Sequence, residues 1–203
     1  FYTIGASGWI FSGAFYPILM NNIAANVEAA AAGLPYNGIA TNEVIYGCFC
    51  AIGGLGCTLL LVCLMLRSKS ERIRGIGKGV VIPALCNINE PVMYGLPVVM
   101  NPILMIPMWL QGIVLPLMTW VFTKVIPFAK IPRIQFEMWY CPYPISTWIS
   151  TEGHLMSIVF VLAQFAVSAL IWYPFFKAYE KTKQDVKYYH DKLKYGEPVS
   201  RVV

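Results

Sequence analysis

Charge is scarce in this sequence: Asp, Glu, Lys and Arg make up 12% of its 203 residues, against about 25% in an ordinary soluble domain. With 58% hydrophobic residues and a mean hydropathy of +0.60, it lacks the polar side chains that a fully wetted fold needs. It opens on Phe1, with no basic n-region and no small-residue cleavage site before the first apolar stretch. No signal peptide is read there, and residue 1 is expected not to be the natural start. Six cysteines, at 48, 50, 57, 63, 86 and 141, include no C-x-x-C spacing beside a histidine pair, which argues against structural zinc. They read as small apolar side chains of buried helices, and no metal or cofactor is expected. Gly75-Ile76-Gly77-Lys78-Gly79 lacks the Ser or Thr after its lysine and a preceding strand, so it is no phosphate loop. It reads instead as a flexible basic loop that docks a cytoplasmic partner. No nucleophile–base pair stands out, so no catalytic residue is assigned.

What the chain has is long apolar runs. A bilayer core takes about 20 consecutive apolar residues as helix. Residues 1–27 carry no charge, and residues 44–66 form an uninterrupted uncharged run of 23, the firmest expected transmembrane helix, with Gly53, Gly54 and Gly56 as a small-residue packing surface. Between them an Ala-rich helix closes at Gly33. Residues 67–78 hold five basic side chains against one Glu, and the tail from Lys177 holds seven against four acidic. Excess Lys and Arg mark the cytoplasmic side, so both stretches are expected there, joined by two crossings at 91–123 and 155–176. The net charge of +5 therefore speaks for a membrane and not for nucleic acid. Residues 79–89 are too short to span and read as re-entrant or interfacial; 124–153, with four prolines, read as a loop or a second broken hairpin. The fold class expected is an all-α, multi-pass membrane protein with re-entrant hairpins.

The most informative residues are Asn87-Ile88-Asn89-Glu90-Pro91. A carboxylate at membrane depth costs about 2.5–3.5 kcal/mol on insertion scales and is rarely idle. Pro91 donates no backbone hydrogen bond and biases Glu90 away from helix, while asparagine tolerates unusual dihedrals and caps helix ends. One reading is a break in the bilayer that offers a carboxylate and two amides to a sugar, with Tyr94, Trp109, Trp139, Tyr140, Tyr143 and Trp148 as stacking rings. The other is Glu90 paired with Lys78 at a helix end, with the asparagines as plain caps. His154, in the second broken loop, either enters the same site or is an ordinary loop-end histidine. His190 belongs to the charged tail.

The stretch from Asn87 to Leu104 closely resembles the N-I-N-E-P-x-x-x-G-L-P-x-x-x-N-P-x-L signature of the lactose/cellobiose/diacetylchitobiose phosphotransferase permeases, the EIIC components. Gly53-Gly54-x-Gly56, Trp139-x-x-Pro142, Ser150-Thr151 and Tyr173-Pro174-Phe175-Phe176-Lys177 are similar too. The resemblance covers essentially the whole chain and corresponds to the C-terminal half of such a permease. It implies an EIIC substrate-binding region over 1–176 and a charged cytoplasmic tail over 177–203. It implies a multi-pass protein of the bacterial inner membrane, with a cytoplasmic C-terminus. It also implies that Glu90, helped by Asn87 and Asn89, binds a β-linked disaccharide of the cellobiose, chitobiose or lactose type, with Trp139 stacked on the ring. Phosphorylation would come from a phosphocysteine on a IIB partner, itself served by IIA, and the full-length protein would be a homodimer in lipid. Where the family shows Gly-x-His-Gly, this chain has Gly5-Ala6-Ser7-Gly8, so Ser7 takes the histidine's place in the site. Serine is no proton acceptor near neutral pH. That departure motivates an alternative, a sensor or scaffold that binds sugar without phosphorylation-coupled transport.

Overall fold

The computed structural model describes residues 2–6, 9–35, 38–137 and 139–194; Ser7 lies outside them, as does the side chain of His190. Among the described residues all regular structure is helical, as expected. Helix α1 (Trp9–Ala31) takes up the first apolar run and the Ala-rich stretch as one element, with Pro17 inside it. It closes where expected, at Gly33, whose φ of 67° lets Leu34 N–H reach Ala29 O at 2.8 Å.

The run 44–66 is not one helix. A short π-helical turn (Glu43–Cys48) leads into irregular backbone, and only Thr58–Leu66 (α2) is α-helical. Hydropathy was a poor guide here because it reports transfer into lipid and is blind to dihedral angles. Four left-handed residues, Gly53, Gly54, Gly56 and Cys57, turn the chain back on itself. The glycines thus serve a re-entrant hairpin and not the packing face of a continuous span.

Helix α3 (Glu71–Leu85) corrects two further expectations, the basic loop at 75–79 and the re-entrant segment at 79–89. Ser70 caps it by accepting from Ile73 N–H, and Glu71 sits in the first turn, where a negative charge is favoured. Gly77 lets it lie close on α2, since a Cβ there would stand 3.0 Å from Met65 Cβ. Helix α4 (Glu90–Gly95) begins at Glu90, with Pro91 in its first turn. Pro91 therefore starts a helix instead of expelling Glu90 from one, because the first turn needs no N–H from it.

Helix α5 (Pro102–Trp120) opens on Asn101, whose side chain accepts from Ile103 N–H, and runs on through a π-turn (Val121–Val125). Helix α6 (Ile145–Ser150) is short, and α7 (Leu155–Lys194) is 40 residues long. Two stretches, Pro102–Val125 and Leu155–Lys183, are long and apolar enough to cross a bilayer. The first of these stretches starts later than the crossing expected at 91–123, after the chain breaks at Leu96–Asn101.

The main core joins α2, α3, α4, α5 and α7 through Leu61, Met65, Ala84, Met93, Leu104 and Trp172. Trp172 is fully buried and donates Nε1–H to Gly56 O at 3.1 Å, so the long span anchors the glycine hairpin. At one end of the molecule, Glu180 of α7 accepts from Ser68 Oγ and Lys69 N–H, bringing the two basic stretches together.

Candidate sugar site at the α3–α4 break

Helix α3 ends with Cys86 as its cap. Asn87 N–H bonds to Ala84 O at 3.1 Å and Ile88 N–H to Pro83 O at 2.9 Å. That pair of bonds closes a helix through a left-handed residue, and Asn87, at φ 60°, is that residue. Two residues later Asn89 starts α4, its carbonyl accepting from Val92 and Met93 N–H. Glu90 is thus carried, half-buried, on the first turn after a sharp reversal.

The glycine hairpin packs against this reversal. Asn87 Oδ1 accepts from Gly53 N–H at 2.9 Å, and Asn89 Nδ2 donates to Leu55 O at 2.8 Å. Thr58 Oγ1 donates to Gly53 O at 2.5 Å. These bonds satisfy irregular backbone that lipid would leave unpaired at several kcal/mol per group. Gly54 is obligatory here: at φ 96°, a Cβ would lie 2.6 Å from Asn89 Cβ and 2.9 Å from Asn87 O.

A third segment closes the site. Asn87 Nδ2 donates to Trp139 O at 2.9 Å and to Cys141 O at 2.8 Å, holding the 126–144 connection against the break. Burial, and secondarily the neighbouring Cys86 thiol, push the Cys141 thiol up. The same connection is tied to the start of the π-turn, where Glu43, fully buried, accepts from Phe136 N–H at 3.1 Å.

Between these segments lies a small, open cavity. It is lined by Tyr46, Ala51, Gly54 and Leu55 from the hairpin segment, by Asn87, Asn89 and Glu90 from the break, and by Trp139 from the 126–144 connection. A few polar groups among apolar walls is the usual make-up of a small-ligand site. A carboxylate, the Asn89 amide and an aromatic face suit a polyhydroxylated ring with an apolar side.

Four of the residues singled out in the sequence, Asn87, Asn89, Glu90 and Trp139, therefore meet at one cavity. His154 is placed elsewhere: its Nδ1 lies 2.9 Å from Ser157 Oγ, which also accepts from Lys130 N–H, and it is not among the cavity's walls. Of the other aromatic candidates, Trp109 donates to Thr3 Oγ1, Trp148 lies over Gly153 and the Tyr143 hydroxyl is buried. Tyr46 went unnoticed in the sequence, because the run 44–66 that carries it read as an uninterrupted helix. The signal that would have found it is the cluster Gly53, Gly54, Gly56, too dense in glycine for a helix interior.

Comparison with known proteins bears on the same residues. A family model described as "Phosphotransferase system, EIIC" matches residues 2–112, which include the hairpin and the α3–α4 break. The lichenan permease IIC component of Bacillus subtilis (strain 168) is 35% identical over 175 residues, covering 86% of this chain and 38% of that protein. The lactose-specific EIICB component of the Lacticaseibacillus casei phosphotransferase system is 33% identical over 172 residues, covering 83% of this chain and 29% of its own. Among solved structures, the transporter ChbC, the IIC component of an N,N'-diacetylchitobiose-specific phosphotransferase system, superposes with a TM-score of 0.84 at 28% identity. That match covers 97% of this chain and 44% of ChbC. The chain thus spans less than half the length of each of these relatives.

Proposed function

This chain belongs to the phosphotransferase system EIIC family, and from that premise we propose that it forms the sugar-binding region of a permease for a β-linked disaccharide of the cellobiose, chitobiose or lactose type. The observation that carries the proposal is the convergence of Glu90, Asn89 and Trp139 on one cavity beside broken backbone, with Asn87 at the break itself. A carboxylate accepts two hydroxyl hydrogen bonds at once, and charge-assisted bonds are about twice as strong as neutral ones. The Trp139 ring, 38% exposed, supplies an apolar face for the sugar. Ser7, which stands where the family pattern has histidine, brings a hydroxyl in place of an imidazole; His154 is left out of the proposed site, since it is not among the cavity's walls.

The region works within a larger assembly. Residues 1–176 form the transmembrane substrate-binding region and 177–203 its cytoplasmic tail, in a multi-pass protein of the bacterial inner membrane that dimerises when full-length. The contact of Glu180 with Ser68 and Lys69 supports one cytoplasmic end for both basic stretches. There a IIB protein, supplied by IIA, would phosphorylate the sugar from its phosphocysteine. The relatives matched are named as permeases and phosphotransferase components, which favours transport over the sensor reading.

The test is equilibrium binding of cellobiose, lactose and N,N'-diacetylchitobiose to the intact protein, wild type against Glu90→Gln. Loss of charge from a charge-assisted pair is expected to weaken the preferred sugar by roughly tenfold or more. Equal affinity in E90Q, or no binding of any of the three by wild type, removes the sugar-site assignment.

A further inference from the structure

Asn87 has no amide hydrogen left to offer a ligand. Both hydrogens of its Nδ2 are used, on Trp139 O and Cys141 O, and its Oδ1 holds Gly53 N–H. The residue is 7% exposed. Its own backbone is equally committed, at φ 60°, to closing α3. For that closure alone glycine is the better residue, because it enters the left-handed region without steric cost. The same chain shows this: α1 is closed by the same pair of backbone bonds at Gly33. An asparagine at the equivalent place on α3 gains only through its side chain, and that side chain touches backbone on two other segments.

We propose that Asn87 is a positioning residue and not a sugar ligand: one amide pins the glycine hairpin and the Trp139 connection to the α3–α4 break, and so fixes the distance across the cavity in front of Glu90. The proposal deepens the sugar-site reading and rests on it for its functional meaning. Neither wall is held by regular secondary structure at this point, since Gly53 and Trp139 both sit in irregular backbone. Removing the latch therefore releases the Trp139 connection from the break, while the hairpin keeps its bonds to Asn89 and Trp172 and Glu90 stays on the first turn of α4. The stacking face of Trp139 then loses its fixed relation to the carboxylate, and affinity falls with no ligand-contacting group deleted.

Two substitutions separate this from a direct contact. Asn87→Gly keeps the left-handed closure of α3 and removes the amide; Asn87→Asp keeps the acceptor for Gly53 N–H and removes both donors. In the intact protein in membrane vesicles, two quantities are read: binding of cellobiose, lactose and N,N'-diacetylchitobiose, and site-resolved alkylation of Cys141 by N-ethylmaleimide. Cys141 is half-buried and its carbonyl is one of those held, so its thiol reports release of the connection. Both variants are expected to raise Cys141 alkylation and weaken sugar binding by roughly tenfold, the scale of losing two or three neutral hydrogen bonds. Alkylation of Cys63 on α2 should stay at the wild-type rate, and E90Q should leave Cys141 unchanged.

Sugar binding lost with Cys141 unchanged would make Asn87 a direct ligand and overturn the proposal. Unchanged binding and unchanged alkylation overturn it as well. So does a parallel rise at Cys63 in both variants, because Asn87 would then support the whole fold and not the cavity. If wild type binds none of the three sugars, the sugar reading falls, while the alkylation measurement still decides for or against the latch.

Discussion

Ser68 and Glu180, separated by 112 residues, are joined by a 2.5 Å hydrogen bond from the serine hydroxyl to the carboxylate. The same carboxylate accepts from Lys69 N–H and from Lys177 Nζ, both at 2.9 Å, and Glu180 is 4% exposed. One buried acid thus ties the α2–α3 connection, rich in Arg and Lys, to the far end of the long span.

Replacing Glu180 by Ala leaves a buried hydroxyl and a backbone N–H without their acceptor, which is expected to cost about 1–3 kcal/mol. Ser68→Ala removes one donor from a carboxylate that keeps two others and should cost less. The measurement is thermal unfolding in detergent together with trypsin cleavage at the exposed Arg67 and Lys69. E180A should lower the unfolding temperature and accelerate cleavage there, with S68A between it and wild type. Wild-type behaviour of E180A would mean that the two basic ends are not held by this contact.

Gly54 and Gly79 make opposite predictions for the same substitution. A methyl group at Gly54 meets Asn89 Cβ at 2.6 Å and Asn87 O at 2.9 Å, on backbone at φ 96°. Both partners are rigid, so Gly54→Ala must displace the hairpin from the break, at an expected cost of roughly 2–4 kcal/mol, with loss of sugar binding. At Gly79, inside α3, nothing lies within 4 Å of the added methyl group. Gly79→Ala should leave binding intact and stabilise the helix by roughly 0.5–1 kcal/mol. Chemical unfolding of the two variants decides the matter; comparable destabilisation by both would contradict the placement of the hairpin.

The contrast between those glycines marks what was legible in the sequence. The second span was readable because nothing interrupts 155–176, and α7 runs through it with Pro174 inside. The site was half readable. Asn87, Asn89 and Glu90 stand out because amides and a carboxylate beside a proline are costly in lipid, and Trp139 because of its family context. The break itself was legible at Asn87–Pro91, but its cause was not: the reversal turns on the left-handed Asn87, while Pro91 lies in the first turn of α4 and leaves Glu90 helical. Tyr46 was hidden, since its approach to the cavity depends on left-handed turns seven to eleven residues further on, and a hydropathy profile sums over them. Gly75, Gly77 and Gly79 suggested a loop, yet a capped N-terminus and close packing on α2 override their poor helix propensity.

The two spans carry a last prediction. Gln111 of α5 donates to Ser168 Oγ of α7 at 2.8 Å, and Gln164 of α7 donates to Thr119 Oγ1 of α5 at 3.0 Å. All four residues are at most 2% exposed, so these are polar cross-links inside the helix pair. In lipid no hydrophobic force draws two apolar helices together, and interhelical hydrogen bonds contribute about 0.6 kcal/mol on average and up to about 1.7. A double-mutant cycle of Gln111→Leu and Ser168→Ala, followed by unfolding in mixed micelles, should give a coupling energy in that range. Gln111 Oε1 is buried without a protein hydrogen bond, so Q111L also relieves a cost and should itself be mild, within about 1 kcal/mol of wild type. A coupling indistinguishable from zero would mean that side-chain packing alone holds the spans together. The rigid support against which the glycine hairpin rests, through Trp172 and Gly56, would then owe nothing to these amides.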